Sequence, residues 1–282
     1  MIKKYKGEII SFYILALISI ICASFFDLKL DIMLNNPDQG FSLWFQGMGE
    51  MPCRLVPPLA GVVIYKFCDK PVLKCFGIFS NIAGSAHLGY HIANYFFIED
   101  NHKTVFGLLL GLCFGAFLQY FAQFIEIKEE YRKPLVILAF AGLSVMFVQI
   151  GAIEIIKALW GRVRFRDLKG EVNYESFTAW YHPNGINGNK SFPSGHTASA
   201  AMSYLLMLMP NVSEKWEKRK VLCFILPLIF TSVVAFTRLV MGAHYLSDVT
   251  MGGTIGFTVT IIAMKILDKK YFNSCNLEKH NV

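Results

Sequence analysis

Polar and apolar positions along this chain segregate into long blocks. Runs free of Asp, Glu, Lys and Arg occupy 9–26, 75–98, 104–125, 134–153, 191–213, 221–237 and 249–264. Roughly 20 apolar residues in a helix cross a bilayer, so each run predicts a spanning helix. Run 191–213 enters through polar residues and turns apolar near Thr197, and the last run is extended backwards by the nearly apolar stretch 239–247. A further segment, 51–67, is interrupted by Arg54 and the pair Pro57-Pro58. The pattern predicts an all-α fold: a polytopic membrane helix bundle of about eight transmembrane helices. The first run follows Lys3, Lys4 and Lys6 but is longer than the apolar core of a signal peptide, and no small-x-small cleavage site follows it. It is expected to stay as an anchor.

Composition agrees. Of the 282 residues, 54% are hydrophobic and only 17% charged, and the mean hydropathy is +0.45. Soluble domains carry about 25% charge, which argues against a soluble globule. An aromatic content of 15% argues against disorder. The net charge of +7 has no basic stripe on a soluble domain that would suit nucleic acid. Basic residues collect in cytoplasmic loops instead. With the N-terminus inside, 17 of the 27 Lys and Arg fall on inner segments, and every inner loop is basic. Both termini are therefore expected in the cytoplasm, and the regularity requires 51–67 to cross. The seven cysteines show no paired spacing, so neither a disulfide framework nor a zinc site is expected. The expected organisation is N-terminal transmembrane helices over 1–133, a core with the chemistry over 134–268, and a cytoplasmic tail over 269–282.

Three charged clusters fall at the outer boundary of this topology: Lys157 to Arg164, Pro193-Ser194-Gly195-His196, and Thr237-Arg238 to His244 and Asp248. Lys157, Arg164 and Arg238 are three fixed cations suited to the equatorial oxygens of a phosphoryl group in transfer. Ser194 and Gly195 precede a helix and could aim backbone N–H groups at the same anion. Two histidines offer a nucleophile and a general acid. Asp248 follows His244 by one helical turn, where it could take the Nδ1 proton and leave Nε2 free to attack. No carboxylate cluster for Mg²⁺ is evident on that face. The set reads as phosphoryl transfer through a phosphohistidine, with no metal and no cofactor.

With these residues in order, the sequence resembles the type 2 phosphatidic acid phosphatase family, the superfamily of membrane lipid phosphatases, glucose-6-phosphatase and vanadium haloperoxidases. The family signature is Lys-x6-Arg-Pro, Pro-Ser-Gly-His, then Ser-Arg-x5-His-x3-Asp. This chain supplies Lys157-x6-Arg164, the full tetrad 193–196, and Arg238-x5-His244-x3-Asp248, with Phe165 in place of Pro and Thr237 in place of Ser. The resemblance covers about 134–264. It implies that Lys157, Arg164 and Arg238 bind phosphate with Ser194 and Gly195 assisting. It also implies that His244 is the nucleophile, Asp248 its orienting partner, and His196 the acid.

Several residues lie beside the motifs. Arg162 and Arg166 flank Arg164, either as interfacial anchors or as contacts to a second phosphate. Glu154, one turn before Lys157, needs a partner at that depth and is expected to hold a cation in place. The aromatic stretch from Phe177 to Gly185 reads as interfacial belt or as a lid. His87 and His91 stand at i and i+4 without a third ligand nearby and read as core histidines. Gly107, Gly111 and Gly115, like Gly252 and Gly256, form small faces expected to seat one span on another inside the monomer.

The expected activity is a phosphatase in the plasma (inner) membrane, with its site facing the periplasm or exterior. Its partners are membrane lipids and a lipid phosphate or polyprenyl diphosphate substrate. A phosphotransferase would use the same residues with another acceptor. A haloperoxidase would hold vanadate in the same pocket, although its relatives are typically soluble. A non-catalytic lipid transporter with salt-bridged span ends would need none of this chemistry.

Overall fold

A computed structural model describes residues 2–96, 102–168 and 170–272. Among these residues every regular element is helical. The chain runs through α1 (Lys6–Leu34), α2 (Gly40–Met48), α3 (Met51–Phe67), α4 (Pro71–Phe96), α5 (Lys103–Phe124) and α6 (Glu129–Trp160). A long loop then leads to α7 (Gly195–Ala201), which tightens into a 3₁₀ helix over Met202–Asn211. After it come α8 (Glu214–Glu217), α9 (Lys220–Val240) and α10 (Leu246–Leu267). From residue 273 the expected tail lies outside the described residues, as do Cys275 and the expected span end at 97–98.

All the expected spans fall on helix, but they are not equivalent. The segments containing α1, α5, α6, α9 and α10 are long and apolar enough to cross a membrane; α3, α4 and the helical stretch over 195–211 are not. A count of eight crossings is therefore not established. The shortfall has a physical reason, because the polar groups of α3 and α4 are satisfied by neighbouring helices. Ser80 Oγ donates to the Pro57 carbonyl at 2.9 Å, and Asn81 Nδ2 to the Gly115 carbonyl at 3.0 Å. The backbones nearly touch: a Cβ on Gly61 would stand 2.4 Å from the Gly77 carbonyl oxygen, and one on Gly111 would stand 2.1 Å from that of Ser85. The glycine face of α5 thus seats it on α4 within the monomer, and Gly252 and Gly256 likewise face Ser194 and Ala201.

Along α1, Ile14, Leu17, Ile18, Ile21 and Phe25 are exposed, each over half its surface. A continuous apolar face of this kind is untenable in water and is what lipid requires. The chain is an integral membrane protein. Its aromatic core gathers Phe12, Tyr204, Phe224 and Phe257, with the Phe12 and Phe257 rings stacked at 3.9 Å. That core sits about two to four turns along α10 and α9 from the charged ends of those helices.

Two turns fix the charged end. Gly161 closes α6 in the left-handed region (φ 54°), and a Cβ there would stand 2.1 Å from the Gly185 carbonyl oxygen. Asn187 Nδ2 donates to the freed Gly161 carbonyl at 2.8 Å, and Asn184 N–H to that of Trp160 at 2.8 Å. The asparagine-rich loop is therefore a cap on α6. Gly242, also left-handed (φ 58°), closes α9 so that His244 falls just before α10.

Candidate active site

The cations arrive from three elements. Lys157 lies in the last turn of α6, Arg164 in the loop after it, and Arg238 in the last turn of α9. Lys157 Nζ pairs with Glu154 Oε1 at 3.1 Å, one turn back on the same helix. Gly195 gives this ammonium room, since a Cβ there would stand 2.9 Å from Nζ. Arg238 is buried, with Nη2 donating to the Ser42 carbonyl at 3.3 Å.

His244 is oriented by what lies behind it. Its Nδ1 is 2.7 Å from the Ser191 carbonyl oxygen and 3.7 Å from Asp248 Oδ2. A carbonyl oxygen only accepts, so Nδ1 carries the proton and the lone pair on Nε2 is free. Asp248 holds the arrangement from one step further back. Its Oδ2 accepts from Ser191 Oγ at 2.6 Å and from the Tyr245 N–H at 3.0 Å, and its Oδ1 pairs with Arg162 Nη1 at 2.6 Å. As the third residue of α10, it also has its charge favoured by the helix N-terminus. His244 lies outside the spans, and burial draws its imidazole below the ordinary value. Asp248 opposes that shift, while the cations Arg164 and Lys157 add to it. The neutral form is favoured.

A cavity of about 610 Å³ unites these groups. Lys157, Arg164, Arg166, Gly195, His196, Arg238 and His244 all line it, with Glu50, Arg54 and His87 on the facing wall. Arg164 Nε, Arg238 Nε and His196 Nε2 are buried and make no hydrogen bond within the protein. Buried donors without acceptors are rare, and three around one cavity are a site for an anion. Residues 134–272 match the PAP2 superfamily.

No curated protein matches the chain. Among solved structures, this chain is similar to one titled "Crystal structure of the first transmembrane PAP2 type phosphatidylglycerolphosphate phosphatase from Bacillus subtilis". Identity is 18%, coverage is 96% of this chain and 98% of that one, and the TM-score is 0.37.

Not every expected residue reaches the cavity. The Ser194 N–H donates to the Asp248 carbonyl at 2.9 Å, and its buried Oγ accepts from Thr197 Oγ1 at 3.0 Å. Ser194 therefore caps α7 and, fully buried, does not line the cavity, contrary to expectation; Gly195 does line it. The direct acceptor of the His244 proton is the Ser191 carbonyl, with Asp248 acting through Ser191. Arg162 faces away altogether: it is fully buried between Asp248 and Asp27, whose Oδ2 is 2.9 Å from Nη2. It also lies over the Tyr245 ring at 4.1 Å. A second phosphate is out of its reach, whereas exposed Arg166 stays at the rim. Phe177 meets Tyr245, and Trp180 Nε1 donates to Ser24 on α1 at 3.0 Å, so the aromatic stretch braces this buried charge and does not cover the cavity.

Four contributors went unseen in the sequence. Ser191 had a faint signal, two residues before the tetrad. Asp27 sits one residue beyond the first apolar run. Arg54 registered only as a flaw in a span, and Glu50, one turn before it, not at all. His91 is a core histidine, with Nε2 2.8 Å from the Gly47 carbonyl, but His87 is exposed to the cavity and accepts from Arg54 Nη1 at 2.6 Å.

Proposed function

We propose that this protein is a membrane phosphatase acting on a lipid phosphate monoester or diphosphate through a phosphohistidine. The observation that carries the reading is the cavity itself, where Lys157, Arg164, Arg238 and His196 line the same space as His244, whose Nε2 is free. Lys157, Arg164 and Arg238 hold the phosphoryl oxygens and stabilise the charge that spreads over them in transfer. His244 Nε2 attacks phosphorus, and the P–O bond to the alcohol or phosphate breaks. His196 gives its proton to the departing oxygen. Water then attacks the phosphohistidine, surrendering a proton to His196; the P–N bond breaks, inorganic phosphate leaves, and both imidazoles return to their starting states.

A lipid substrate is favoured by the wall beneath the cations. From Lys157 the lining descends α6 through Ile153, Ile150, Phe147 and Met146, with Phe147 and Ile150 exposed. Eleven residues of helix span about 16 Å, enough for part of an acyl or prenyl chain below a phosphate at the top. The basic-loop count supports an outward-facing site and cytoplasmic termini.

The test is phosphate release from a panel of lipid phosphates by the purified protein, with and without chelator and vanadate. His244→Ala should lower kcat by about 10³-fold or more while the protein stays folded. Inhibition by vanadate and indifference to chelator are expected. Full activity in His244→Ala, or loss on chelation, would overturn the reading.

A further inference from the structure

The cavity's facing wall holds a carboxylate that the motifs do not account for. Glu50 lies between α2 and α3, and its Oε1 is 3.2 Å from His196 Nε2. Its Oε2 is taken up by Arg54, through Nε at 3.0 Å and through Nη2, and stands 3.6 Å from His91 Nδ1. One oxygen is thus held from behind and the other is presented to the imidazole. We propose that Glu50 is the positioning residue of His196, the carboxylate that holds this imidazole toward the leaving oxygen and favours its charged form.

The argument is one of charge. Burial above all draws the His196 imidazole below its ordinary value, and Arg238 from α9, His244 from the α9–α10 turn and Lys157 from α6 press the same way. A general acid must nevertheless enter the reaction protonated. Among the groups that act on His196, Glu50 alone favours its charged form. Burial pushes the Glu50 carboxyl up, but His196, Arg54 and His91 hold it below its ordinary value, so it stays ionised. The 3.2 Å approach is an ion-pair distance without an aligned hydrogen bond, since His196 Nε2 has no hydrogen-bond partner. The proton on Nε2 is therefore not committed to Glu50. It passes to the leaving oxygen, leaving neutral His196 and an unchanged carboxylate. A salt bridge that served the fold alone would not need its second oxygen beside the imidazole.

This role rests on the phosphohistidine reading, and leaving-group dependence separates the two. An alkyl phosphate needs its departing oxygen protonated; p-nitrophenyl phosphate does not. Glu50→Gln should lower kcat about 10- to 100-fold on a dialkylglycerol phosphate and less than about threefold on p-nitrophenyl phosphate. It should also move the alkaline limb of the kcat profile about one pH unit toward acid, because an imidazolium without its carboxylate loses its proton sooner. Glu50→Asp, which keeps the charge one methylene further back, should give intermediate values and serves where Glu50→Gln does not fold. Equal losses on both substrates, or an unmoved limb in both variants, would overturn the role. His196→Ala is the control. If it shows the leaving-group dependence and the Glu50 variants do not, only the Glu50 role fails; if it is fully active on both substrates, the mechanism beneath it fails as well.

Discussion

The two walls of the cavity handle charge in opposite ways. On the wall built from α6, α7, α9 and the turn before α10, the groups are cations and imidazoles, several with nitrogens that make no hydrogen bond within the protein. On the wall from α3 and α4, Glu50, Arg54 and His87 satisfy one another along the surface. The first wall is built to meet an anion. The second supplies a carboxylate that moderates the positive field. A pocket of cations alone would hold phosphate but would press the proton off its acid; the carboxylate on the second wall opposes that pressure.

The same substitution on each wall should expose the difference most sharply. Arg162 is the support behind the first wall, fully buried between Asp27 and Asp248. Arg162→Met would leave two carboxylates buried without a countercharge, and removing one partner of a buried pair costs about 3–5 kcal/mol. Arg54, whose side chain is 19% exposed at the cavity, should cost about 1 kcal/mol as Arg54→Met. Thermal unfolding in detergent measures both. Comparable losses would mean that the two walls share one kind of support. Adding Asp27→Asn to Arg162→Met should restore part of the stability, since it removes one of the stranded charges.

A smaller effect, on catalysis, separates the inward-facing cations from the paired one. Arg164→Gln removes a guanidinium whose Nε has no partner in the protein, and should lower kcat/KM about 10²-fold. Arg54→Gln removes a group already committed to Glu50 and His87, and should lower it less than about tenfold, acting through the placement of Glu50. Steady-state kinetics on one lipid phosphate decides. A larger loss at Arg54 would make the second wall a phosphate-binding surface.

The same contrast explains how much was legible in the sequence. Lys157, Arg164, His196, Arg238 and His244 stand in fixed spacings near helix ends, and such spacings survive in a one-dimensional reading. Arg162, two residues from Arg164, is the same residue type in the opposite environment; its partners tell them apart, Asp248 on α10 and Asp27 on α1, 135 positions away. Ser194 looked like a ligand donor because a Ser-Gly step opens a helix. Its N–H is instead used by the Asp248 carbonyl, because Gly252 lets α10 approach to where a Cβ would be 2.3 Å from the Ser194 carbonyl oxygen. The expected spans all became helices, since apolar runs report helices well. Hydropathy reads α3 and α4 less well, because polar groups buried between helices lower it as effectively as polar groups in water.

The smallest expected effect concerns the nucleophile's protonation. Burial draws the His244 imidazole below its ordinary value of about 6.5, with Arg164 and Lys157 pressing in the same direction and Asp248 opposing. Only the neutral imidazole can attack, and its proton sits on Nδ1. As pH falls, activity is lost when Nε2 takes up a proton, so the acid limb of kcat/KM should lie below the ordinary imidazole value. Removing a cation from the first wall should make protonation easier and move that limb up. Lys157→Met should therefore shift it toward neutral pH by a few tenths of a unit, a residual activity permitting measurement. Arg54→Met, on the facing wall and not among the groups acting on His244, should leave it unmoved. A shift of equal size in both variants would mean that the cavity responds to its total charge, and that the distinction between its walls is one of position only.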